Sequence, residues 1–563
     1  MKPRVLLFSG LCALSLGCSR GSSQAPEGDG SAGARAGAAS SGAGTSGTGG
    51  ASTGGAATQA GTSSVGVAGN GDFPALPNDT QSGVFVHLFE WRWADIAQEC
   101  ERFLGPKGFT AVQVSPPSEH ALLANYAFPW WQRYQTVGYA LESRSGTRAE
   151  FIDMVSRCRA AGVGIYVDAV LNHTTAQVSG TGSGGTKFTK YAYPGLFEQA
   201  DFHAPVCQIQ DTDYVESAEH VQRCELVGLA DLDTSSPTVQ AKLAGYLSEL
   251  LQLGVRGFRL DAAKHMAAAD MAAILARVKP RADEAPYYFL EVIDYGGEAV
   301  HATDYLDVGG SAELDITEFK YKGVGDAFLG RSAKAISSLQ LLDEQALGFL
   351  PNDRAVTFIT NHDTQRGNAP FYQDGAAHDL ANVFMLAWPY GYPSVLSGYG
   401  FDRSSGAGRD VGPPSDGGGS THPVYEAGAT EPSCVAGPYT ATSKGWICEH
   451  RARSIANMVQ FRRATAGTAV ANAWNNGQNQ LAFSRGDRGF VAINHETTAL
   501  VQTLATGLAP GSYCDVLSGD FTPAKGATPA SCSGTAVDVD AAGSLSLDVA
   551  AESALAIHAS AKL

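Results

Sequence analysis

The feature that most constrains the fold of this chain is a regular alternation of short apolar segments with helix-like segments. Apolar or β-branched runs predict strands at residues 84–89, 111–115, 163–167, 257–260, 288–291, 313–316, 355–360 and 394–397. Helical patterns lie between most of them, at residues 94–103, 148–161, 239–253, 268–278 and 378–386. Eight strands that alternate with helices in this way predict a (β/α)8 TIM barrel.

Two parts of the chain depart from this alternation. About 60 residues separate the third strand from the next helix, far more than an ordinary βα loop contains. We therefore predict a small inserted domain at residues 173–233, with the barrel formed by residues 78–172 and 234–465. Short strands with Gly, Asn and Asp turns, at 482–484, 489–494, 511–517 and 554–558, predict an antiparallel β-sandwich domain at residues 466–563.

The N-terminus is typical of an exported protein. Lys2 and Arg4 precede an apolar run over residues 5–17, which is too short to span a bilayer as a stable helix. Residues 14–18 have the small-residue-then-cysteine form of a bacterial lipoprotein cleavage site, so we predict a signal peptide at residues 1–18 and lipidation of Cys18. An ordinary secretory signal is the alternative. The protein would be lipid-anchored at the bacterial cell envelope or surface, or secreted.

Residues 19–77 are rich in Gly, Ala, Ser and Thr and contain too few apolar side chains to offset the entropy cost of folding. We expect a flexible linker there. The net charge of the chain is −17, and no basic run is present, which argues against nucleic acid or an anionic lipid surface as a partner. A membrane would be contacted only through the lipid anchor, and no feature requires a second subunit, so we expect a monomer.

The cysteines favour disulfides. Apart from Cys12 and Cys18 in the signal region, eight cysteines remain, and an even set in an exported chain favours disulfide bonds. Cys207 and Cys224 both lie in the predicted inserted domain, where a bond between them would staple it. The sequence contains no Cys-X-X-Cys pair, so a zinc site is not expected.

Four acidic residues lie at or just past the C-terminal ends of predicted barrel strands: Asp168, Asp261, Glu291 and Asp363. A barrel brings all strand ends to one face, so we expect these side chains to converge. Clustered carboxylates raise one another's pKa values, and some of them then hold a proton. A proton donor beside an ionised nucleophile is what glycoside hydrolysis needs. Each acid taken alone would be a strand-end cap or a surface charge, but four at corresponding positions favour an active site.

The strings that carry these acids resemble the four signature regions of the α-amylases, glycoside hydrolase family 13, and occur in the same order. They are Asp168-Ala-Val-Leu-Asn-His173, Gly257-Phe-Arg-Leu-Asp-Ala-Ala-Lys-His265, Glu291-Val-Ile-Asp294 and Phe358-Ile-Thr-Asn-His-Asp363. The resemblance is to the animal-type enzymes and their actinobacterial relatives, and it extends from residue 84 to residue 563. It implies endo-hydrolysis of α-1,4-glucosidic bonds in starch, glycogen and maltooligosaccharides with retention of configuration.

The resemblance also implies a role for each acid. Asp261 would be the nucleophile that forms a covalent glycosyl-enzyme, and Glu291 would be the general acid and then the base. Asp363 would bind the distorted sugar ring and hold Glu291 protonated. Arg259 would keep Asp261 ionised and oriented, a role that also follows from geometry, because residues two apart on a strand point to the same face.

Further residues are expected to bind the glucan. His173 and His362 would donate to hydroxyls of the glucose at the cleavage point, although each histidine could instead have a structural role. In the aromatic cluster at residues 129–135, Tyr134 would lie under the cleaved ring, and Trp130 and Trp131 would line neighbouring subsites; the alternative is a tryptophan-rich corner of the core. Gln135 and His265 are further candidates, and Lys264 and Glu298 are candidates for the leaving-group side.

By the same resemblance, a structural calcium ion would tie the inserted domain to the barrel. Its ligands would be the side chains of Asn172 and Asp231 and backbone carbonyls near Gln222 and at His265, an oxygen set that suits calcium. Asp231 could instead be a helix cap.

Many animal-type enzymes also hold an activating chloride between two basic residues and an asparagine. Arg259 and Asn361 match two of these ligands, but Ser394 stands where the second basic residue is expected. The loss of one positive charge predicts that chloride is not bound.

The resemblance implies four disulfide pairs: Cys100–Cys158, Cys207–Cys224, Cys434–Cys448 and Cys514–Cys532. Two alternative functions stay open at this stage. An α-glucan transglycosylase or a maltooligosaccharide-forming enzyme would use the same residues. A non-catalytic glucan-binding lipoprotein is disfavoured because such proteins lose Asp261 or Glu291, and both are present.

Overall fold

The computed structural model describes residue 76 and residues 80–282, 284–332, 334–341, 347–417, 419–439 and 443–563. The predicted signal peptide, the lipidation site Cys18 and nearly all of the predicted linker lie outside the described residues. No helix among the described residues has both the length and the apolar character needed to cross a membrane.

Eight parallel strands close into a barrel. Each strand pairs with the next one along the chain, and the last pairs with the first. In chain order they are β1 Phe85–Leu88, β2 Ala111–Val114, β3 Gly164–Val170, β4 Gly257–Asp261, β5 Tyr287–Leu290, β6 Glu313–Thr317, β7 Ala355–Thr357 and β8 Tyr392–Ser397. The predicted (β/α)8 fold class is confirmed.

Among the described residues, α-helices follow most of the barrel strands. Those described are α1 Trp93–Glu99, α2 Gly105–Lys107, α3 Arg148–Ala160, α4 Asp213–Glu216, α5 Ala218–Arg223, α6 Pro237–Gln252, α7 Ala268–Leu275, α8 Lys322–Phe328, α9 Ala376–Ala387, α10 Gly406–Asp410 and α11 Arg453–Ala464. A π-helical turn, Cys100–Leu104, joins α1 to α2. The start of α3 shows how sequence sets a boundary: Thr147 accepts from the backbone N–H of Glu150, whose carboxylate accepts from the backbone N–H of Thr147, a capping box.

Two barrel strands end three residues away from their predicted ends. β3 runs to Val170, three residues beyond the predicted end, because the ladder to β4 continues to the pair Val170–Asp261. Asp168 is therefore inside its strand. β7 stops at Thr357, and Asp363 lies in the following loop. The side-chain oxygen of Asn361 accepts from the backbone N–H groups of Asp363 and Thr364, which stabilises a turn in place of a longer strand.

Aromatic side chains fill the barrel interior. Phe85, Tyr166, Tyr287, Phe289 and Tyr392 are buried in one cluster, with ring centroids 4.8 Å apart for Phe85–Tyr392 and 5.0 Å apart for Tyr166–Tyr287. This layer of the barrel core contains no charged side chain. The ionisable groups contributed by β3 and β4 therefore lie above it, toward the C-terminal ends of the strands.

The segment after β3 leaves the barrel and returns to it before α6. It contains the antiparallel pair Ser179–Thr181 with Lys187–Thr189 and the helices α4 and α5. The Cys207–Cys224 disulfide joins its two halves, and an antiparallel bridge between His173 and Asp231 brings its ends together. The predicted bounds of this inserted domain, and of the other domains, remain predictions.

The C-terminal part is an antiparallel β domain, as predicted. Its strands are β9 Val470–Asn475, β10 Gln480–Arg485, β11 Gly489–Asn494, β12 Leu500–Ala505, β13 Gly511–Cys514, β14 Phe521–Thr522, β15 Ser531–Cys532, β16 Ala536–Val539, β17 Ser544–Val549 and β18 Ser553–His558. The sheet β9-β10-β11-β18 is apolar on both faces: Leu481 and Phe483 belong to the large core shared with the barrel, whereas Ala482 and Phe490 belong to the domain's own core. This explains the continuous apolar run in β10, since alternate side chains are buried on opposite faces.

The remaining short strand pairs are Glu119–His120 with Thr136–Gly138 and Cys434–Val435 with Trp446–Ile447. The four disulfides implied by the resemblance are all present: Cys100–Cys158, Cys207–Cys224, Cys434–Cys448 and Cys514–Cys532.

Candidate active site

Arg259 is the centre of the site. It lies opposite Asp168 in the β3–β4 ladder, and its Nη1 donates to Asp168 Oδ1 at 2.5 Å and to Asp261 Oδ1 at 2.8 Å. Its Nη2 lies 2.5 Å from Oε1 of Glu291, which follows β5. One guanidinium therefore fixes three carboxyl groups from three strands. The alternation of side chains along β4 is the local cause, because it points both Arg259 and Asp261 inward.

A backbone group holds Glu291 from the other side. The N–H of Ala262 donates to Glu291 Oε2 at 3.0 Å. Ala262 has a φ of 50°, in the left-handed region that non-glycine residues seldom adopt. This turn directly follows Asp261, so the same residues that end β4 also orient Glu291. A backbone donor has no signature in the sequence, and sequence reasoning missed it.

The acids have perturbed protonation. Burial raises the pKa of Asp261 well above the ordinary value, and the charges of Glu291 and Asp168 add to this rise, whereas Arg259 opposes it. Burial also raises the pKa of Asp168. Burial, then the charge of Glu291, raises the pKa of Asp363 to about 7. Four carboxyl groups face one guanidinium, so the cluster retains protons near neutral pH.

Asp363 is the most accessible of the four acids. Its side chain is 36% exposed. The carboxyl groups of Asp168 and Asp261 are almost completely buried. Of the four acids, Asp363 is therefore the one most open to contact with a ligand.

Tyr134 and His362 form one wall. The Tyr134 hydroxyl donates to Asp168 Oδ2 at 2.9 Å and lies 2.9 Å from His362 Nε2, and the two rings are stacked within 3° of parallel. Burial and the charge of Arg259 lower the pKa of His362 well below its ordinary value, so the ring is neutral. The structure brings both predicted binding residues to the acid cluster.

A buried ion pair positions the Tyr134 loop. Arg133 Nη1 lies 3.1 Å from Oε2 of Glu90, which follows β1, and both side chains are fully buried. Arg133 Nε also donates to the carbonyl of Pro116 after β2. Loss of Glu90 would leave the buried charge of Arg133 without its carboxylate, which costs about 3–5 kcal/mol. The loop that carries Tyr134 is thus fixed to the ends of β1 and β2.

The other residues of the aromatic cluster are at the edge of the site. The Trp130 indole donates to the carbonyl of Arg409 at 3.0 Å and contacts His362 edge-on. Trp131 is partly buried and contacts Tyr126. Gln135 accepts from the backbone N–H of Ala176 through Oε1, and it links the loop to the inserted segment. Its Nε2 is buried and has no hydrogen-bond partner among the described residues.

Lys264 and Glu298 form an ion pair beyond Glu291. Lys264 contacts Glu298 and donates to the carbonyl of Ile293 at 2.6 Å. Burial lowers the pKa of Lys264 to about 8. The structure thus joins the two residues expected on the leaving-group side, which come from the loops after β4 and β5.

The predicted calcium ligands form two adjacent groups. Asn172 Nδ2 lies 3.2 Å from Asp231 Oδ1, and His203 Nδ1 lies 2.7 Å from Asp231 Oδ2. His265 Nδ1 lies 3.0 Å from the carbonyl of Val221, the residue before Gln222. Among the described residues there is no cluster of three or more His, Cys, Asp or Glu side chains suited to a metal ion. The predicted set has one carboxylate, and its other donors are amide and backbone oxygens.

The chemistry of these residues fits a calcium ion. Asp231 is only 4% exposed, and burial raises the pKa of its carboxyl group to about 6. A buried carboxylate beside the side-chain amide of Asn172 offers hard oxygen donors, which a calcium ion prefers.

A small cavity of about 20 Å³ lies behind the acids. Its lining includes Arg259, Asn361 and Ser394, the residues of the expected chloride position, together with His87 and Gln113. The Nε2 atom of His87 is buried and has no hydrogen-bond partner among the described residues. Burial and the charge of Arg259 lower the pKa of His87 well below its ordinary value, so Arg259 is the cation that faces this cavity.

Sequence reasoning missed two side chains of this region. His87, on β1, contacts His362 with ring centroids 5.3 Å apart. Gln113, on β2, donates to Asp168 Oδ2 at 3.4 Å. The available signal was positional: both are polar residues within otherwise apolar barrel strands.

Comparison with known proteins is consistent with this geometry. The family model described as the α-amylase catalytic domain matches residues 108–286, and the model described as the C-terminal all-β domain of α-amylases matches residues 471–560. The α-amylase of Thermomonospora curvata is 43% identical over 488 residues, which cover 85% of this chain and 73% of that protein. The pancreatic α-amylase of Sus scrofa is 41% identical over 515 residues, covering 86% and 96%.

The fold of this chain is also similar to that of a solved α-amylase structure. A crystal structure of mutant α-amylase I from Eisenia fetida in complex with maltohexaose is similar, with a TM-score of 0.76 and 38% sequence identity. The superposition covers 86% of this chain and 99% of that chain.

Proposed function

The chain belongs to the α-amylase family of glycoside hydrolases, and we propose that it cleaves internal α-1,4-glucosidic bonds of starch, glycogen and maltooligosaccharides by a retaining double displacement. Asp261 is the nucleophile and Glu291 is the general acid and base. The observation that carries this assignment is the convergence of Asp261 and Glu291 on Arg259 at the C-terminal end of a closed barrel.

In the first step, Glu291 gives its proton to the departing glycosidic oxygen while Asp261 attacks the anomeric carbon. Arg259 opposes the rise in the pKa of Asp261 and stabilises the carboxylate form that attacks, because its Nη1 lies 2.8 Å from Asp261 Oδ1. Arg259 is a positioning residue that also balances charge. In the second step, the Glu291 carboxylate takes a proton from water, whose oxygen attacks the anomeric carbon and releases Asp261.

Asp363 and the Tyr134–His362 wall hold the sugar at the cleavage point. Asp363 is accessible to a pair of sugar hydroxyls, because 36% of its side chain is exposed. The Tyr134 ring offers a flat apolar surface, and its hydroxyl is held by Asp168. His173 is anchored through Nε2 to the carbonyl of Tyr134 at 3.1 Å, so it belongs to the same wall.

The stereochemistry of the product tests this mechanism. We expect proton NMR of a maltooligosaccharide digest to show the α-anomer of new reducing ends first, with the β-anomer appearing later by mutarotation. Initial formation of the β-anomer would show an inverting reaction and remove Asp261 from the role of nucleophile. Binding without turnover would instead favour a glucan-binding protein.

We propose that Asn172, Asp231 and carbonyls near Gln222 and at His265 hold a structural calcium ion. The ion would connect the inserted segment to the barrel and would not activate water. Removal of the ion with a chelator is expected to lower Tm, because a bound ion stabilises the folded chain by about 2.7 kcal/mol at 100 times its Kd.

Two variants sharpen this test. Asp231→Asn is expected to weaken the Tm increase on addition of calcium, whereas Asp211→Asn, at an exposed position of the same segment, should leave it unchanged. An identical calcium response in the Asp231 variant would contradict the assignment.

We propose that activity does not depend on chloride. The cavity at the expected position is faced by Arg259, whose charge is already neutralised by three carboxyl groups, and by the neutral Ser394. Equal rates in sodium chloride and sodium nitrate of the same concentration are the expected result. Ser394→Arg adds the second cation and is expected to introduce a chloride response. A steep chloride requirement in the unmodified protein would refute the proposal.

We also propose that the chain is exported and held at the cell envelope by a lipid on Cys18. The form of residues 14–18 supports this assignment. Metabolic labelling with a fatty acid is expected to label the protein but not its Cys18→Ala variant. Equal labelling of both would contradict it.

A further inference from the structure

Tyr295 has an unusual place among the aromatic residues of the site. It follows Glu291 by four residues, in the loop at the C-terminal end of β5, and its side chain is 45% exposed. Its ring contacts Phe319, which follows β6, at a centroid distance of 6.0 Å and an angle of 80°. The ring therefore rests on the rim of the barrel and keeps a large part of its surface open.

The loop that carries Tyr295 is held at several points. The N–H of Tyr295 donates to Glu298 Oε1 at 3.2 Å, and Glu298 is paired with Lys264. The N–H of Gly296 donates to Asp294 Oδ1 at 2.7 Å. Gly296 and Gly297 have φ angles of 96° and 78°, which a residue with a side chain would seldom adopt. The tight loop presents an ordered ring, so a ligand would lose little of its binding energy in ordering it.

Tyr295 also interacts electrostatically with one of the four acids. Burial on the side facing the protein raises the pKa of Tyr295 to about 12, and the charges of Asp326 and Asp363 contribute to this rise. The hydroxyl is thus within electrostatic reach of Asp363. Glu291 protonates the departing oxygen, so the loop that continues from Glu291 borders the side of the cleft from which the leaving group departs.

We propose that Tyr295 is a platform on which a glucosyl unit stacks on the leaving-group side, and that it thereby sets how the glycosyl-enzyme divides between water and a sugar acceptor. This inference rests on the proposed function, because it needs the covalent intermediate on Asp261. A flat aromatic ring favours the apolar C–H face of a pyranose over water. Tyr295 touches the acceptor and not the reacting atoms, so it determines specificity.

Transfer and hydrolysis differ only in the attacking oxygen. In transfer, the 4-hydroxyl oxygen of the acceptor attacks the anomeric carbon and its bond to Asp261 breaks. The hydroxyl proton goes to the Glu291 carboxylate. A bound acceptor excludes water from this position, so a tighter acceptor subsite increases the transferred fraction.

The experiment separates acceptor binding from the first step. The donor is an α-maltotriosyl fluoride whose terminal 4-hydroxyl is removed, so that it cannot act as its own acceptor. Fluoride departs without a sugar in the acceptor subsite, and fluoride release reports glycosyl-enzyme formation. Maltose is the acceptor, and the products of hydrolysis and transfer are separated by chromatography.

We expect Tyr295→Leu, which keeps apolar volume but removes the flat face, to release fluoride without maltose at the rate of the unmodified protein. Its ratio of transfer to hydrolysis at subsaturating maltose should fall about tenfold, equivalent to about 1.4 kcal/mol of acceptor binding. Tyr295→Phe should retain the ratio. Tyr126→Leu is the matched control, because Tyr126 is 46% exposed but lies beside Trp131 on the loop after β2. It should also retain the ratio.

The possible outcomes distinguish failure of the role proposed for Tyr295 from failure of the proposed covalent mechanism. An unchanged transfer ratio in Tyr295→Leu, with normal fluoride release, would overturn the role of Tyr295 and leave the proposed function intact. Equal losses in Tyr295→Leu and Tyr295→Phe would overturn stacking as the cause. Absence of fluoride release from the unmodified protein would instead refute the covalent mechanism.

Discussion

Replacement of Asp261 by Asn is expected to lower kcat for starch by a factor on the order of 10⁴ or more, because an amide cannot form the covalent bond to the anomeric carbon. The measurement is the steady-state release of reducing sugar from soluble starch. The loss should be equally large with α-maltotriosyl fluoride, since an activated leaving group still needs the nucleophile. Near-normal turnover by this variant would refute the assignment.

The fold should survive this change. The pKa of Asp261 is raised in the folded state, so its contribution to stability is complete below the ordinary value of 3.8 and is lost as pH rises toward the raised value. At pH 7 the buried carboxyl group therefore does not favour folding, and Asp261→Asn should have an equal or higher Tm. A matched control is Asp315→Asn on β6, a buried aspartate that accepts from the Tyr287 hydroxyl at 2.8 Å. Its activity should be unchanged.

Replacement of Glu291 by Gln is expected to lower kcat for starch about 10³-fold, because the amide cannot protonate the departing oxygen. The structure makes this substitution nearly isosteric. The Ala262 N–H can still donate to the amide oxygen, and the contact with Arg259 Nη2 is the one that weakens. Melting temperature and glucan affinity should therefore change little.

The Glu291 variant and the Asp261 variant should differ in activity on a substrate whose leaving group needs no proton. With α-maltotriosyl fluoride, whose leaving group needs no proton, Glu291→Gln should still form the glycosyl-enzyme. Added azide needs no general base and should release it as α-maltotriosyl azide. Failure of azide to accelerate turnover, or formation of the β-azide, would contradict the role of Glu291.

The roles proposed for the carboxyl groups differ because their surroundings differ. Asp261 has the guanidinium of Arg259 at 2.8 Å and is enclosed, which suits an anion that attacks from a fixed position. Glu291 is held by a backbone N–H and by Nη2 of the same guanidinium, at the start of the loop that leads to the leaving-group side. Asp363 is open to the cleft. In the proposed mechanism, position around one arginine thus divides binding, nucleophilic attack and proton transfer among similar side chains.

Much of this arrangement was accessible from the sequence. The alternation of apolar runs and helical patterns determined the barrel, because periodicity along the chain is a local property that each segment shows by itself. Asp261 and Glu291 could be placed at strand ends since an acid that terminates an apolar run is visible in the sequence. The excess of Gly, Ala, Ser and Thr in residues 19–77 likewise needed no structure to be recognised.

Only the tertiary structure decided how these groups act on one another. It extended β3 past Asp168, ended β7 before Asp363, and brought the Ala262 N–H to Glu291. It also placed His87 beside the cavity at Ser394 and left Tyr295 exposed on the rim. The physical reason is that pKa values, cavities and exposure depend on distances of a few ångströms between segments far apart in sequence, and side-chain periodicity carries no record of those distances.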